Sequence, residues 1–415
     1  MTRIWRRRLK RVFAAGLSGM LLAPGLGAVA GLPGRVVLRV GGSADLPVCA
    51  SMDARVDAPA VAGLDAGPDS ALRVTGARTG EAELTLSVLG VPLRRVKLAV
   101  EPERVLIPGG QSVGVAIRTA GVVVVGASDL GATPSPARLA GLKSGDVIET
   151  IDGAPVTGAR ALSESLAGRA TAVLGVRRGG EAIQCTVKPA VDARDGVARL
   201  GAWVRDSTAG VGTLTFYDPA TGAFGALGHA ITDVDTGALM PVGAGEIFEN
   251  AVVEITPSRQ GAPGELAGDF FGAGRAMGEV RLNTACGIFG QCDALESAAY
   301  PAGLPVAPLR DVREGPATLL TTVEGSAPKA YACEVVRLNA RSDASRAMVI
   351  RVTDPGLIAR TGGIVQGMSG SPIVQNGRII GALTHVMVND PAMGYAIGIE
   401  AMMEAADGLE KANAA

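Results

Sequence analysis

The sequence predicts a mostly β protein assembled from barrels and small β modules. Hydrophobic residues make up 47% of the 415 positions while aromatics make up only 3%. The core must therefore come from Val, Leu, Ile and Ala, which suits many short strands. With 58 glycines and 24 prolines, the chain is rich in turns, again favouring β-barrels over helical bundles. Its length favours about two to three domains with a large buried core.

The elements follow in order. Arg3, Arg6, Arg7, Arg8, Lys10 and Arg11 form a positive start. Residues 12–30 are nearly uncharged and apolar, and end in a small-x-small Ala28-Val29-Ala30. This is the pattern of a secretory signal, and the stretch is also just long enough for an uncleaved membrane anchor. Its glycines and Pro24 make a poor membrane helix, so cleavage after Ala30 is favoured. Either way the rest of the chain is expected outside the cytoplasm, secreted or membrane-associated. Residues 31–100 hold strand-like pieces around an Ala/Asp/Gly/Pro loop, a small β-rich region or a pro-region.

Residues 101–192 read as a PDZ domain. Val105-Leu106-Ile107-Pro108-Gly109-Gly110 leads into the apolar strand Ser112-Val113-Gly114-Val115-Ala116-Ile117. In such domains a glycine loop aims N–H groups at a peptide's terminal carboxylate and the strand edge pairs with the peptide. That expectation names Gly114, Val115, Ala116 and Ile117 as the docking strand. Lys143-Ser144-Gly145-Asp146-Val147-Ile148 then gives a turn and a strand, and Asp152-Gly153 a second turn. Residues 159–166 read as a helix and 171–187 as the last strands.

After a short linker, residues 200–405 form the last domain, with a terminal helix over 401–414. Its strongest signal is Gly367-Met368-Ser369-Gly370-Ser371-Pro372. Glycines beside a serine let the backbone turn tightly and leave the side chain uncovered. Successive N–H groups around the turn, those of Gly367 and Ser369, converge where an oxyanion would develop. Behind it, Pro372-Ile373-Val374 and Arg378-Ile379-Ile380 read as strands around an Asn376-Gly377 hairpin turn. Gly394-Tyr395-Ala396-Ile397-Gly398-Ile399 closes the pattern. This is how a trypsin-like double β-barrel serine protease presents its nucleophile. Ser371 is the rival nucleophile, with a packing role as its bland alternative.

A serine nucleophile needs a base, and only His229 and His385 are available. The trypsin-like order is His, Asp, Ser, which His229 satisfies. His385, close behind the serine, reads as structural or substrate-lining. For the acid that orients the imidazole, Asp233 and Asp235 lie in a turn that Asx chemistry explains. Asp354 ends the apolar run 348–353 and precedes Pro355. It is the favoured acid, with a helix N-cap as its alternative role.

The block 362–373, Thr384-His385-Val386 with Val388-Asn389-Asp390-Pro391, and Gly228-His229-Ala230-Ile231 resemble the SpoIVB peptidase family. The resemblance runs from about residue 85 to the end. It implies the triad His229, Asp354 and Ser369, and a PDZ domain ahead of the protease. It also implies a self-cleaving exported endopeptidase of sporulation signalling, whose substrate is a membrane-bound regulator of an intramembrane metalloprotease. The alternatives are an envelope quality-control PDZ protease and a non-catalytic PDZ scaffold with a protease-like body.

Several classes are disfavoured. The net charge is −1, so neither polyanions nor polycations are expected partners, and no basic stripe with interleaved aromatics suggests nucleic acid. Two distant histidines and no Cys-x-x-Cys predict no zinc site, and no cofactor is expected. Cys286 and Cys292 are near enough in sequence to pair, but buried free thiols are the preferred reading of the five cysteines.

Overall fold

A computed structural model describes residues 31–48, 52–68, 71–269, 275–339 and 343–413. The expected signal or anchor segment and Cys49 lie outside the described residues. The chain divides into two compact units, 1–104 and 105–415. The first carries a 4-stranded sheet in the order Arg35–Arg39, Val91–Glu101, Gly80–Val88, Asp53–Val56. It also carries a 3-stranded sheet of Ser43–Leu46, Leu72–Gly76 and Ala62–Ala66. Strand Gly80–Val88 buries Leu84, Leu86 and Val88 at alternate positions, the period of a half-buried strand.

The second unit holds two barrels. In the first, Ser112–Ala127 pairs with Val242–Glu249, then Ala276–Thr284, Gly287–Cys292, Ala223–Ala226 and Ala202–Tyr217 follow. Ala202–Tyr217 pairs back onto Ser112–Ala127 and closes the ring. Val113, Val115, Ile117, Leu214, Phe224, Ile247, Val280 and Ile288 fill it. The second barrel is closed by Gly315–Thr321, Lys329–Leu338, Met348–Val352, Asp390–Gly398, Arg378–Met387 and Pro372–Gln375. Asn376 and Gly377 both have positive φ, 51° and 71°, as a type I′ hairpin turn requires. The terminal helix, Ile399–Asn413, buries Met402, Met403, Ala406 and Leu409 with Phe216, Phe289 and Ile379. It thereby covers residues of both barrels.

One sequence expectation is corrected here. Gly114, Val115, Ala116 and Ile117 do not offer a free edge. They pair with Val211, Gly210, Ala209 and Thr208 on one side and with Phe248, Ile247, Glu246 and Gly245 on the other. The residues expected to open a separate domain from 101 therefore belong to the first barrel. A module with its own core, including Val122, Ile148, Leu162, Leu174 and Leu200, is inserted between that barrel's strands. Strand Ser112–Ala127 runs out of the barrel into the module, and Ala202–Tyr217 runs back. The exit bends at Gly121, with φ +90°, where a Cβ would meet the Ile148 carbonyl oxygen at 2.4 Å.

The preferred reading of the cysteines as free thiols holds among the described residues. Cys185, Cys286, Cys292 and Cys333 are free thiols. Cys286 and Cys292 bracket an extended strand, so they stand roughly 20 Å apart at about 3.3 Å per residue. Burial pushes the Cys292 and Cys333 thiols up to about 12, which makes them inert.

Candidate active site

The Ser369 turn is held from both barrels. Gly370 N–H donates to the Leu383 carbonyl at 2.7 Å, and Leu383 N–H donates to that of Ser371 at 2.9 Å. Met368 is fully buried in the second barrel. From the first barrel, Thr213 N–H donates to the Ser369 carbonyl at 2.9 Å. The Thr213 hydroxyl donates to the Gly367 carbonyl at 2.8 Å, and that of Thr215 to the Gly370 carbonyl at 2.7 Å. Such close docking needs a glycine. A Cβ on Gly370 would lie 2.1 Å from the Thr213 carbonyl oxygen, and φ is +95°.

Among the described residues, neither the Gly367 nor the Ser369 N–H donates to an acceptor. Ser371 is different. It is fully buried, and its hydroxyl bonds the Met368 carbonyl at 2.6 Å and the Thr321 hydroxyl at 2.9 Å. That is the packing role its position allowed.

His229 follows strand Ala223–Ala226 through a strained corner. Leu227 has φ +69°, and Gly228 N–H donates back to the Ala226 carbonyl at 2.9 Å. His229 Nδ1 lies 2.8 Å from the Ala230 carbonyl oxygen. A carbonyl only accepts, so Nδ1 carries the proton and Nε2 keeps its lone pair. The next residue, Ile231, is pinned by Asn283. Its N–H donates to Asn283 Oδ1 at 2.9 Å, and Asn283 Nδ2 donates to its carbonyl at 2.7 Å.

His229, Ser369, His385, Asp343, Arg346 and Gln366 line one cavity of about 680 Å³. No hydrogen bond joins Ser369 to His229 among the described residues. The His229 and His385 rings lie 5.1 Å apart, tilted by 39°. Burial holds His229 below the ordinary histidine value, against the opposing pull of the Ala230 hydrogen bond. Burial, then His229 and Arg346, hold His385 down at about 4. Its side chain is exposed.

A family model described as SpoIVB peptidase S55 matches residues 196–403, half of the 415-residue chain. The chain belongs to the SpoIVB peptidase S55 family. It is a serine peptidase, and its substrates are proteins. Among solved structures, it is similar to the active form of the Rv3671c protease from M. tuberculosis. The identity is 13% over 48% of this chain and 74% of that one, with a TM-score of 0.27. It is similar to the HtrA-type protease AlgW with a decapeptide at 13% identity, over 50% of this chain and 55% of that one, with a TM-score of 0.29. The inactive form of Rv3671c gives 15% identity, 47% and 81% coverage, and a TM-score of 0.23. No curated protein sequence matches the chain.

The structure does not bring Asp354, the acid expected for this S55 peptidase, to the cavity. Asp354 caps helix Pro355–Thr361, accepting from Leu357 N–H at 2.9 Å and from Ala332 N–H at 3.4 Å. Pro355 prefers the first helical position and so puts Asp354 at the cap. It does not line the cavity. Asp233 is turned to Thr236 and Arg205, and Asp235 to Arg205. The carboxylate that does line the cavity is Asp343, beside His385. Sequence reasoning missed it, as it missed Thr213 and Thr215. Those two threonines alternate with the buried Leu214 and Phe216, the one signal that this strand's second face is polar and occupied.

Proposed function

We propose that this S55 peptidase is an exported serine endopeptidase working through a Ser369–His229 pair oriented by backbone. His229 Nε2 takes the Ser369 proton as the hydroxyl oxygen attacks a peptide carbonyl. The oxyanion is received by the N–H groups of Gly367 and Ser369. The C–N bond then breaks, and the proton passes from His229 to the leaving amine. Water, deprotonated by His229, releases the acyl group and restores the serine. The Ala230 carbonyl holds Nδ1–H throughout, so imidazole and imidazolium keep one orientation. The observation that carries this reading is the single cavity lined by both His229 and Ser369, with the Gly367 and Ser369 N–H groups unspent among the described residues.

The inserted module serves this enzyme as a PDZ-type docking site. Its peptide groove is the cleft of about 520 Å³ between helix Ala159–Leu166 and residues 200–204. Residues Ala202, Trp203 and Val204 pair with Ala127, Gly126 and Val124 on one edge only. Trp203 is 69% exposed beside the cleft, and the free edge of this strand suits pairing with an extended peptide; Arg194 and Arg199 line the cleft but are ion-paired to Asp192. By family likeness the substrates are the enzyme itself and a membrane-bound regulator of an intramembrane protease, cut outside the cytoplasm during sporulation. The test is incubation of full-length protein and of Ser369→Ala with that regulator's extracytoplasmic domain, read by mass spectrometry. Wild type alone should cut both itself and the regulator. Cutting by Ser369→Ala would refute the assignment.

A further inference from the structure

Strand Ala202–Tyr217 changes environment at Arg205. Upstream, Ala202, Trp203 and Val204 wall the module's cleft. Downstream, Thr208, Ala209, Gly210 and Val211 line the catalytic cavity. The pairing register breaks between Arg205 and Ser207, so the strand bends where the two regions meet.

Arg205 is spent on the loop that carries His229. Its Nη1 donates to Asp233 Oδ2 at 2.7 Å, and its Nη2 to Asp235 Oδ2 at 2.7 Å. The Asp233 side chain is completely buried while that of Asp235 is 52% exposed. Asp233 Oδ1 meanwhile takes the N–H of Asp235, the N–H of Thr236 and the Thr236 hydroxyl. One buried carboxylate thus organises the turn four residues after the base and bonds it to the strand. Beside it, Ile231 packs against Val123, Val147 and Met240, so module side chains touch the same loop. A buried carboxylate that loses its cation is strongly penalised, so the turn follows Arg205.

We infer that Arg205 is a positioning residue for the base: through Asp233 it fixes the loop that aims His229 into the cavity. The inference rests on His229 being the base. The charged and titratable groups that line the cavity with His229 are His385 on strand Arg378–Met387, Asp343 and Arg346, while Asp233 on its own loop is turned to Arg205 and Thr236. Arg205 does not itself line the cavity, so it acts only through the loop.

The test uses the full chain with Arg205→Met, Arg205→Lys and Asp235→Asn. Peptide hydrolysis is followed against pH, with fluorophosphonate labelling of Ser369 and thermal melting alongside. Arg205→Met should lower kcat about tenfold or more, since small misplacements of a catalytic group are costly, and should leave KM near wild type. Its low-pH limb should move up towards the ordinary histidine range, because a loosened loop lets water reach an imidazole that burial now keeps neutral. Arg205→Lys should recover most of the rate and the limb, and Asp235→Asn should behave as wild type. Wild-type kcat and limb in Arg205→Met would overturn the inference. So would a lost rate with an unmoved limb and a lowered melting temperature, which marks a purely structural role. If Arg205→Met does not fold, Arg205→Gln against Arg205→Lys decides by the same limb. If His229→Ala labels as fast as wild type, the assignment of the base has failed instead.

Discussion

The backbone N–H of Thr213 donates to the carbonyl of Ser369 at 2.9 Å, so a first-barrel strand holds the proposed nucleophile of the second barrel by its own backbone. The Thr213 hydroxyl adds a bond to Gly367 two residues earlier. The serine turn is therefore set by where the barrels meet, and among the described residues the Gly367 and Ser369 N–H groups have no acceptor.

Thr213→Val keeps the shape and the backbone bond but leaves the buried Gly367 carbonyl without its hydroxyl donor. The expected cost is about 1–2 kcal/mol of stability, with a fall of about tenfold in acylation as the Gly367 peptide loosens. Chemical denaturation and pre-steady-state labelling of Ser369 measure the two effects.

Gly370→Ala is predicted to be far more damaging. Its methyl would have to displace the Thr213 carbonyl oxygen, 2.1 Å away, at a φ of +95°. Strain and overpacking together cost about 2 kcal/mol or more. The barrels should separate locally and proteolysis should be lost, which limited hydrogen exchange on residues 365–371 and an activity assay would reveal.

Asp354→Asn separates a cap from a triad acid. Asparagine caps a helix about as well as aspartate, so the variant should melt like wild type and keep kcat. Asp354→Ala should lose about 1 kcal/mol and still cut peptides. A drop near 10⁴-fold in Asp354→Asn, as for a true triad acid, would restore the role that the family likeness implied.

The pH dependence has a defined sign. Burial keeps His229 neutral below its ordinary 6.5, so kcat/KM should hold through that value and fall only at lower pH, as the base takes up a proton. His385 is also depressed, to about 4 from 6.5. As pH falls from 6.5, the unfolded chain binds that proton first. The contribution to stability is thus complete above 6.5 and is lost as pH drops through about 4. Replacing His385 by Gln should flatten the melting temperature across that window while leaving most of the activity, because the ring flanks His229 and does not replace it.

Local chemistry was legible in the sequence and pairing was not. Asn376-Gly377 named its own hairpin, because only residues tolerating positive φ fit that turn. The glycines around Ser369 likewise announced a sharp, uncovered turn. Gly114 to Ile117 misled, since an apolar strand behind a glycine loop reads alike whether its edges are free or paired. Its partners, Val242–Glu249 and Ala202–Tyr217, lie far along the chain. Asp354 carried both of its meanings openly, and Pro355 decided for the cap. The Ala230 carbonyl that orients His229 could not be read at all, because every residue has one.

The most direct test is to treat the full-length enzyme and its His229→Ala and Ser371→Ala variants with a fluorophosphonate and locate the adduct by peptide mass spectrometry. A single adduct on Ser369 is expected, formed as fast in Ser371→Ala as in wild type and at least about a hundredfold more slowly in His229→Ala. An adduct on Ser371, or labelling of Ser369 that ignores the loss of His229, would contradict the account.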